Sequence, residues 1–103
     1  MSAAVAQLQP VGEGGWSLCG RVTFDTVPRL WPQGLNLSSA GAGVQVDLAQ
    51  VQAIDSAGLA LLLAWRGRAQ GRGGRLDYRN APERLLALAD LTDTTGLLLS
   101  DPP

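Results

Sequence analysis

The chain has 103 residues, of which 46% are hydrophobic and 17% charged, and these proportions fit one small globular domain. Eight basic residues against nine acidic ones give a net charge of -1, so the chain lacks the positive excess that drives binding to a nucleic-acid backbone. It contains no His and a single Cys, which excludes imidazole acid–base chemistry, His-ligated metals and internal disulfides.

Two segments of the sequence bear on the cellular location of the protein. Residues 1–6 lack the basic start and the long apolar run of a signal peptide. The longest apolar stretch, residues 57–65, falls far short of the roughly 20 residues that span a bilayer. We therefore predict a cytoplasmic protein, and the residue types available predict no bound cofactor or metal.

The start of the chain predicts a β-hairpin. Val5, Leu8 and Val11 lie in a weak extended segment, and the glycines within residues 12–15 predict a turn. Residues 16–22 then alternate between apolar and polar, which predicts a second strand. Cys19 lies on the polar side of this strand and is interpreted as a small strand residue. The residues predicted to face the core are Trp16, Leu18, Gly20 and Val22.

A first helix is predicted to begin at Asp25. The Asp25 carboxylate can accept hydrogen bonds from the first free amides of a helix, and Pro28 is tolerated in its first turn. Pro32 removes a donor and clashes with the preceding turn, so this helix is predicted to be short or kinked. Residues 38–43 predict a loop, and the alternation of Val44, Val46 and Leu48 predicts a third strand.

The most apolar helix is predicted to begin at the tetrapeptide 55–58 and to continue to about Arg72, where the glycines at 73 and 74 end it. Its first two turns are apolar nearly all round, which predicts that it is covered on two sides.

Leu76 and Tyr78 predict a fourth strand, and Asn80 with Pro82 predicts the start of a third helix. The apolar face of that helix comprises Leu85, Leu86, Leu88, Ala89 and Leu91. The core is expected to span about residues 16–91, with a polar tail over about 96–103 that can fray. The order β-β-α-β-α-β-α predicts an α/β domain, with a mixed β-sheet and helices packed against it.

One run of residues resembles a known family. A strand ending in Asp47-Leu48, a short loop, and residues 55–59 (Asp-Ser-Ala-Gly-Leu) opening an apolar helix resemble the STAS family, named for sulfate transporters and anti-sigma-factor antagonists. The resemblance covers about residues 16–91 and implies a single STAS domain over residues 1–103. In the anti-sigma-factor-antagonist branch, a partner kinase phosphorylates the Ser of this motif, and Ser56 is the matching position.

Within the family, the chain more closely resembles the STAS subunits of Mla-type lipid-asymmetry ABC transporters. The similar segments are Asp25 with residues 27–31, and residues 55–63 running into Trp65. The resemblance implies a non-catalytic subunit that binds an MlaF-like ATPase subunit, in a phospholipid-transport complex with permease and substrate-binding subunits at the cytoplasmic face of the inner membrane. Pro32 and the glycines at 67, 71, 73 and 74 depart from the pattern and affect helix lengths rather than the motif.

The motif has two physical interpretations. Ser56 stands at a helix N-terminus, where free amides and the helix dipole stabilise an oxygen anion such as a phosphate. Alternatively, Asp55 and Ser56 only cap the helix and Gly58 allows close approach to the sheet. The predicted partner-binding residues are Asp55, Ser56, Ala57 and Gly58. Trp31, Leu61 and Trp65 are candidate interface residues, with core packing as the alternative.

Three function classes follow from the sequence. The first is a docking subunit of the transporter, and the second is a switch protein phosphorylated on Ser56. The third, an enzyme, is disfavoured because Ser56 beside Asp55 has no suitable base. The arginines at 66, 68, 72, 75 and 79 are interpreted as a solvated helix end and turn, against the alternative of a site for anionic lipid or RNA.

Overall fold

The computed structural model describes residues 6–12, 14–39 and 43–99, without the side chains of residues 35, 36, 38 and 39. The strands within these residues are β1 (Gln7–Pro10), β2 (Gly15–Val22), β3 (Val44–Asp47), β4 (Val51–Ile54) and β5 (Leu76–Arg79). The helices are α1 (Val27–Leu30), α2 (Ser56–Gly71), α3 (Glu83–Leu91) and α4 (Thr95–Leu99), and a 3-10 helix, Trp31–Ser39, follows α1. The predicted α/β class with a mixed sheet is confirmed.

The sheet brings the ends of two parallel strands together. Strand β1 is antiparallel to β2, whereas β3 and β4 are both parallel to β2, and β5 is parallel to β3. Strands β3 and β4 pair with successive halves of β2, since Ser17 lies opposite Asp47 and Val22 lies opposite Ile54. The chain therefore leaves β2 toward α1 and leaves β4 toward α2 at the same end of the sheet.

The sequence does not predict strand β4, because its pattern indicates only a short loop between Leu48 and the apolar helix. Its sequence, Val-Gln-Ala-Ile, has only two large apolar residues, and they do not alternate. Parallel pairing with β2 forms the strand despite this weak local pattern. Val5, predicted in the first strand, lies outside the described residues, and β1 begins at Gln7.

Helix α2 is buried on two sides, as its apolar pattern predicts. Its buried residues include Leu59, Leu61, Leu62 and Trp65. The Trp65 side chain is 1% exposed, and its indole Nε1 donates a hydrogen bond to the carbonyl of Trp31 at 3.2 Å. On another flank, the hydroxyl of Tyr78 on β5 donates to the carbonyl of Leu62 at 2.6 Å. The helix is thus fixed to the sheet and to the 3-10 helix by hydrogen bonds as well as by apolar packing.

The start of α1 differs from its prediction. The cap position is Thr26 rather than Asp25, and the Asp25 carboxylate instead accepts a hydrogen bond from the Thr23 hydroxyl at 2.5 Å. The predicted shortness is confirmed, since α1 ends at Leu30 before Pro32. The loop predicted from residue 38 is also wrong at its start, because the 3-10 helix continues to Ser39, whereas residues 40–42 lie outside the described part of the chain.

Helix α3 is less buried than its apolar pattern predicts. Leu85 and Ala89 are fully buried, but Leu86 is 38% exposed and Leu91 is 82% exposed. Asn80 does not cap the helix either: Pro82 holds the cap position, and the Asn80 side-chain amide donates to Asp47. The helix therefore presents a narrower apolar stripe to the core than five apolar residues suggest.

The C-terminal part of the chain adds helix α4, which was not predicted. Residues 96–99 belong to this helix rather than to a frayed tail, and Leu98 is fully buried. Arg66, predicted in a solvated cluster, is only 4% exposed. Its Nε donates to the carbonyl of Leu76 at 3.1 Å and its Nη1 donates to the carbonyl of Leu97 at 2.6 Å. Arg66 thereby joins α2 to both β5 and α4.

Candidate functional site

The carboxylate of Asp55 connects the start of α2 to the loop that follows β2. As the N-cap residue, Asp55 accepts a hydrogen bond from the backbone N–H of Gly58 on Oδ1 at 3.0 Å. Its other oxygen, Oδ2, accepts from the backbone N–H of Phe24 at 2.9 Å. The backbone N–H of Asp55 donates to the carbonyl of Val22 at 3.4 Å. One side chain therefore fixes the helix start and an adjacent loop relative to each other.

These donors also set the ionisation of Asp55. Partial burial alone would raise the pKa of this carboxyl, and the nearby Asp25 carboxylate acts in the same direction. The backbone N–H groups of Phe24, Gly58 and Ala57 together outweigh both effects, so the pKa lies below its usual value. Asp55 is consequently a stable carboxylate at neutral pH with both oxygens in use.

Gly58 permits the close packing of α2 on the sheet. It is buried, and a Cβ atom at this position would stand 2.2 Å from the carbonyl oxygen of Val22 and 2.7 Å from Cγ1 of Ile54. A side chain therefore cannot be placed here unless the helix moves away from β2 and β4. The sequence hypothesis of close approach at Gly58 agrees with this geometry.

Ser56 is the exposed first residue of α2, and the next residue, Ala57, is half-buried. The structure thus brings residues 55–58 together in one turn, with Asp55 and Gly58 occupied by folding and Ser56 accessible from solvent. A helix start of this kind carries the positive end of the helix dipole.

The three candidate interface residues separate into two groups. Leu61 is 3% exposed and Trp65 is 1% exposed, so both are core residues of this domain and a partner cannot reach them. Their assignment to an interface is wrong, and the alternative of core packing accounts for them. Trp31 is 37% exposed, and its side chain offers a surface to a partner.

Phe24 is a surface residue that sequence reasoning missed. It lies in the loop between β2 and α1, is 79% exposed, and its backbone N–H is bound to Asp55. The only local signal is an aromatic residue placed between Thr23 and Asp25, where the pattern predicts a helix start. An open groove beside the site is lined by Arg21, Thr23, Asp25, Gln52, Asp55 and Arg84. Its rim therefore carries charges of both signs.

Within residues 6–12, 14–39 and 43–99, there is no group of three or more His, Cys, Asp or Glu side chains that could hold a metal ion. In the same part of the chain, every helix is too short or too polar to cross a bilayer.

Comparison with known proteins gives the family. A family model described as "Mlab, STAS domain" matches residues 9–100. The chain belongs to the STAS domain family, MlaB type. No curated protein matches this STAS domain.

Solved structures agree on the fold. The domain is similar to the anti-sigma factor antagonist SpoIIAA in its unphosphorylated form, with a TM-score of 0.63 and 16% identity over 84% of this chain and 82% of that one. The phosphorylated form of SpoIIAA, a Bacillus cell fate determinant, gives a TM-score of 0.66 and 16% identity over 95% and 91% of the two chains. A third structure, Mglu, gives 0.57 and 25% identity over 75% of this chain but only 19% of that one. These similarities establish a shared fold.

Proposed function

We propose that this STAS domain is a non-catalytic docking subunit of a phospholipid-transport ABC complex that maintains outer-membrane lipid asymmetry. It binds an MlaF-like ATPase subunit at the cytoplasmic face of the inner membrane and supports the assembly and activity of the complex. The observation that carries this proposal is the match of residues 9–100 to an MlaB-type family model. The exposed start of α2 supplies the docking surface, because Ser56 is accessible there and Asp55 holds its surroundings in place.

The chemistry of the site supports docking rather than catalysis. Activation of the Ser56 hydroxyl as a nucleophile requires a base that takes its proton. Asp55 is the adjacent carboxylate, but its oxygens accept backbone hydrogen bonds and its pKa is lowered, which makes it a weak base. The chain has no His to replace it.

A binding experiment with Ser56 variants tests the proposal. The purified ATPase subunit of the host's lipid transporter is mixed with wild-type protein and with Ser56→Ala, Ser56→Glu and Ser56→Arg, and the dissociation constants are compared with thermal melts. Ser56→Ala should bind normally. Each charged variant must be desolvated against the partner, which costs a few kcal/mol or about two powers of ten in affinity. Their melting temperatures should change little, with Ser56→Arg lower than Ser56→Glu because the helix dipole opposes a cation at this end.

Helix α4 supplies a matched control. Thr95 is also an exposed hydroxyl residue at the first position of a helix, so Thr95→Arg places the same charge in a comparable setting on another element. It should bind the ATPase subunit as the wild type does. Normal binding by both charged Ser56 variants would remove Ser56 from the interface, and absence of binding by the wild type would contradict the proposed function.

A second candidate is a switch protein of the anti-sigma-factor-antagonist type, in which Ser56 is phosphorylated and the added charge blocks partner binding. It is favoured by the exposed hydroxyl at the start of α2 and by the fold shared with SpoIIAA. The positive end of the helix dipole would favour the phosphate, whereas the amides of Ala57 and Gly58 are already bound to Asp55. Intact-mass measurement and phosphopeptide mapping of protein from its native host test this function, and an unmodified Ser56 under every growth condition would count against it.

A further inference from the structure

We infer that Phe24 is an aromatic anchor that enters an apolar pocket of the ATPase subunit, an inference that rests on the proposed function. Phe24 is the only Phe of the chain and is 79% exposed. The other exposed large apolar residues in the described part of the chain are Val11, Trp31, Leu86, Leu91 and Leu97. Of these, only Trp31 is aromatic, and it is 37% exposed. Aromatic side chains in well-packed pockets supply much of the binding energy of protein interfaces.

The loop that carries Phe24 is held in one conformation by its own hydrogen bonds. The Thr26 hydroxyl accepts from the Thr23 backbone N–H at 2.9 Å and donates to the carbonyl of Arg21 at 2.7 Å. The backbone N–H groups of Thr26 and Val27 both donate to the carbonyl of Thr23 at 2.9 Å. Because the loop is ordered before a partner binds, association does not have to order its backbone.

The position of Phe24 is continuous with the proposed docking surface. Its backbone N–H is bound to Oδ2 of Asp55, and Ser56 is the next residue in the chain after Asp55. A partner that contacts the exposed Ser56 therefore lies beside the backbone of the loop that carries Phe24. The same carboxylate holds both the helix start and the loop that carries Phe24.

The charges around Phe24 favour a protein pocket over a membrane surface. Asp25 follows it directly in the chain, is exposed, and has its pKa lowered by the hydrogen bond from the Thr23 hydroxyl. Asp55 adds a second carboxylate beside the ring's backbone. Arg21 and Arg84 line the same groove as these two carboxylates, so the charges balance and the groove lacks the basic excess that draws a protein to an anionic lipid surface. A protein pocket accommodates them if it is apolar inside and carries a basic residue at its rim facing Asp25.

The experiment compares Phe24→Ala, Phe24→Leu and Leu91→Ala in the full chain, with the purified ATPase subunit as the binding partner. Phe24→Ala should weaken binding by about tenfold or more, whereas Phe24→Leu keeps an apolar anchor and should stay within about threefold of wild type. Leu91 is 82% exposed on α3 and serves as the control, so Leu91→Ala should bind normally. All three variants should melt within a few degrees of wild type, because neither side chain is buried.

Each other result has a distinct meaning. If Phe24→Ala binds normally while Ser56→Arg does not, the anchor is wrong and the docking surface stands. If the wild type binds no ATPase subunit, the proposed function fails and the anchor fails with it. Concentration-dependent self-association that Phe24→Ala abolishes, with unchanged ATPase binding, would make a second copy the occupant. If Phe24→Ala lost binding to phosphatidylethanolamine–phosphatidylglycerol vesicles but still bound the ATPase subunit, the occupant would be a membrane. Either of these last two results overturns the inference.

Discussion

Asp55 and Phe24 are separated by 31 positions in the chain, yet a carboxylate oxygen of Asp55 accepts the backbone N–H of Phe24 at 2.9 Å. The same carboxylate accepts the N–H of Gly58 through its other oxygen. A residue that would be an ordinary helix cap therefore also holds a loop from a different part of the sheet. This side chain helps to hold Ser56 and Phe24 in a defined relative position, together with the hydrogen bond from the Asp55 backbone N–H to the carbonyl of Val22.

Replacement of Asp55 should destabilise the domain more than loss of an ordinary cap. Asp55→Ala removes the acceptor for two backbone N–H groups, and we expect a loss of about 2 kcal/mol in the free energy of unfolding. For a domain of this size, that corresponds to a melting temperature lower by roughly 10 °C. The exposed Asp90→Ala on α3 is the control, with an expected change within about 0.5 kcal/mol. Equal melting temperatures for the two variants would contradict the bridging role.

Stability should fall at acidic pH because several carboxyls have lowered pKa values in the fold. A hydroxyl donor from Thr23 lowers the pKa of Asp25, and the N–H of Ala49 with the Asn80 amide lowers that of Asp47. The folded state then binds fewer protons than the unfolded chain, so the stabilisation is complete above the usual value of 3.8. It is lost as the pH falls below that value and through the lowered pKa values. Thermal melts between pH 7 and pH 3 measure this, and a constant melting temperature from pH 5 to pH 3 would contradict it.

The buried Arg66 should matter to stability, unlike its exposed neighbours on α2. Arg66→Ala leaves the carbonyls of Leu76 and Leu97 without this donor and opens space beside α4. We expect a loss of about 2–4 kcal/mol, since an unpaired buried polar group costs about 1–3 kcal/mol. Arg68 lies on the same helix and is exposed, so Arg68→Ala should change the free energy of unfolding by no more than about 0.5 kcal/mol. Hydrogen exchange should show loss of protection in α4 for Arg66→Ala alone.

The helices and strands that the sequence predicts correctly are those whose pattern lies within a few consecutive residues. Helix α2 begins after the Asp55 cap and ends before the left-handed Gly73, as its cap and glycines predict. Strand β2 shows its alternation over eight residues. Strand β4 and helix α4 were missed because each is short and exists through pairing or packing with distant segments. Helix α4, for example, docks on α2 through Leu97 and the buried Leu98.

Part of the candidate site is predictable because its residues are consecutive in the sequence. Residues 55–58 carry the STAS motif in one continuous stretch, and the structure keeps them together. An apolar helix does not reveal which of its faces a partner covers, so Leu61 and Trp65 could not be assigned to the core from the sequence. The backbone N–H of Phe24 is bound by Asp55 across 31 positions, and no local pattern encodes this contact.

Two glycines of α2 should respond to the same substitution with opposite signs. In Gly58→Ala, the new Cβ meets the carbonyl oxygen of Val22 at 2.2 Å, and this backbone atom cannot yield without displacing β2 from α2. We expect a loss of several kcal/mol in the free energy of unfolding, comparable to overpacking of a core. Gly67 is exposed, and a Cβ there meets nothing within 4 Å.

Gly67→Ala therefore gains only the higher helix propensity of alanine, worth about 1 kcal/mol, and should raise the melting temperature by several degrees. The pair is measured by thermal and urea unfolding of both variants beside the wild type. A stable Gly58→Ala variant would mean that α2 can lie further from the sheet than the structure places it. In that case, Asp55 could not hold the helix start and the Phe24 loop at the distances observed, and the geometry of the docking surface would change with them.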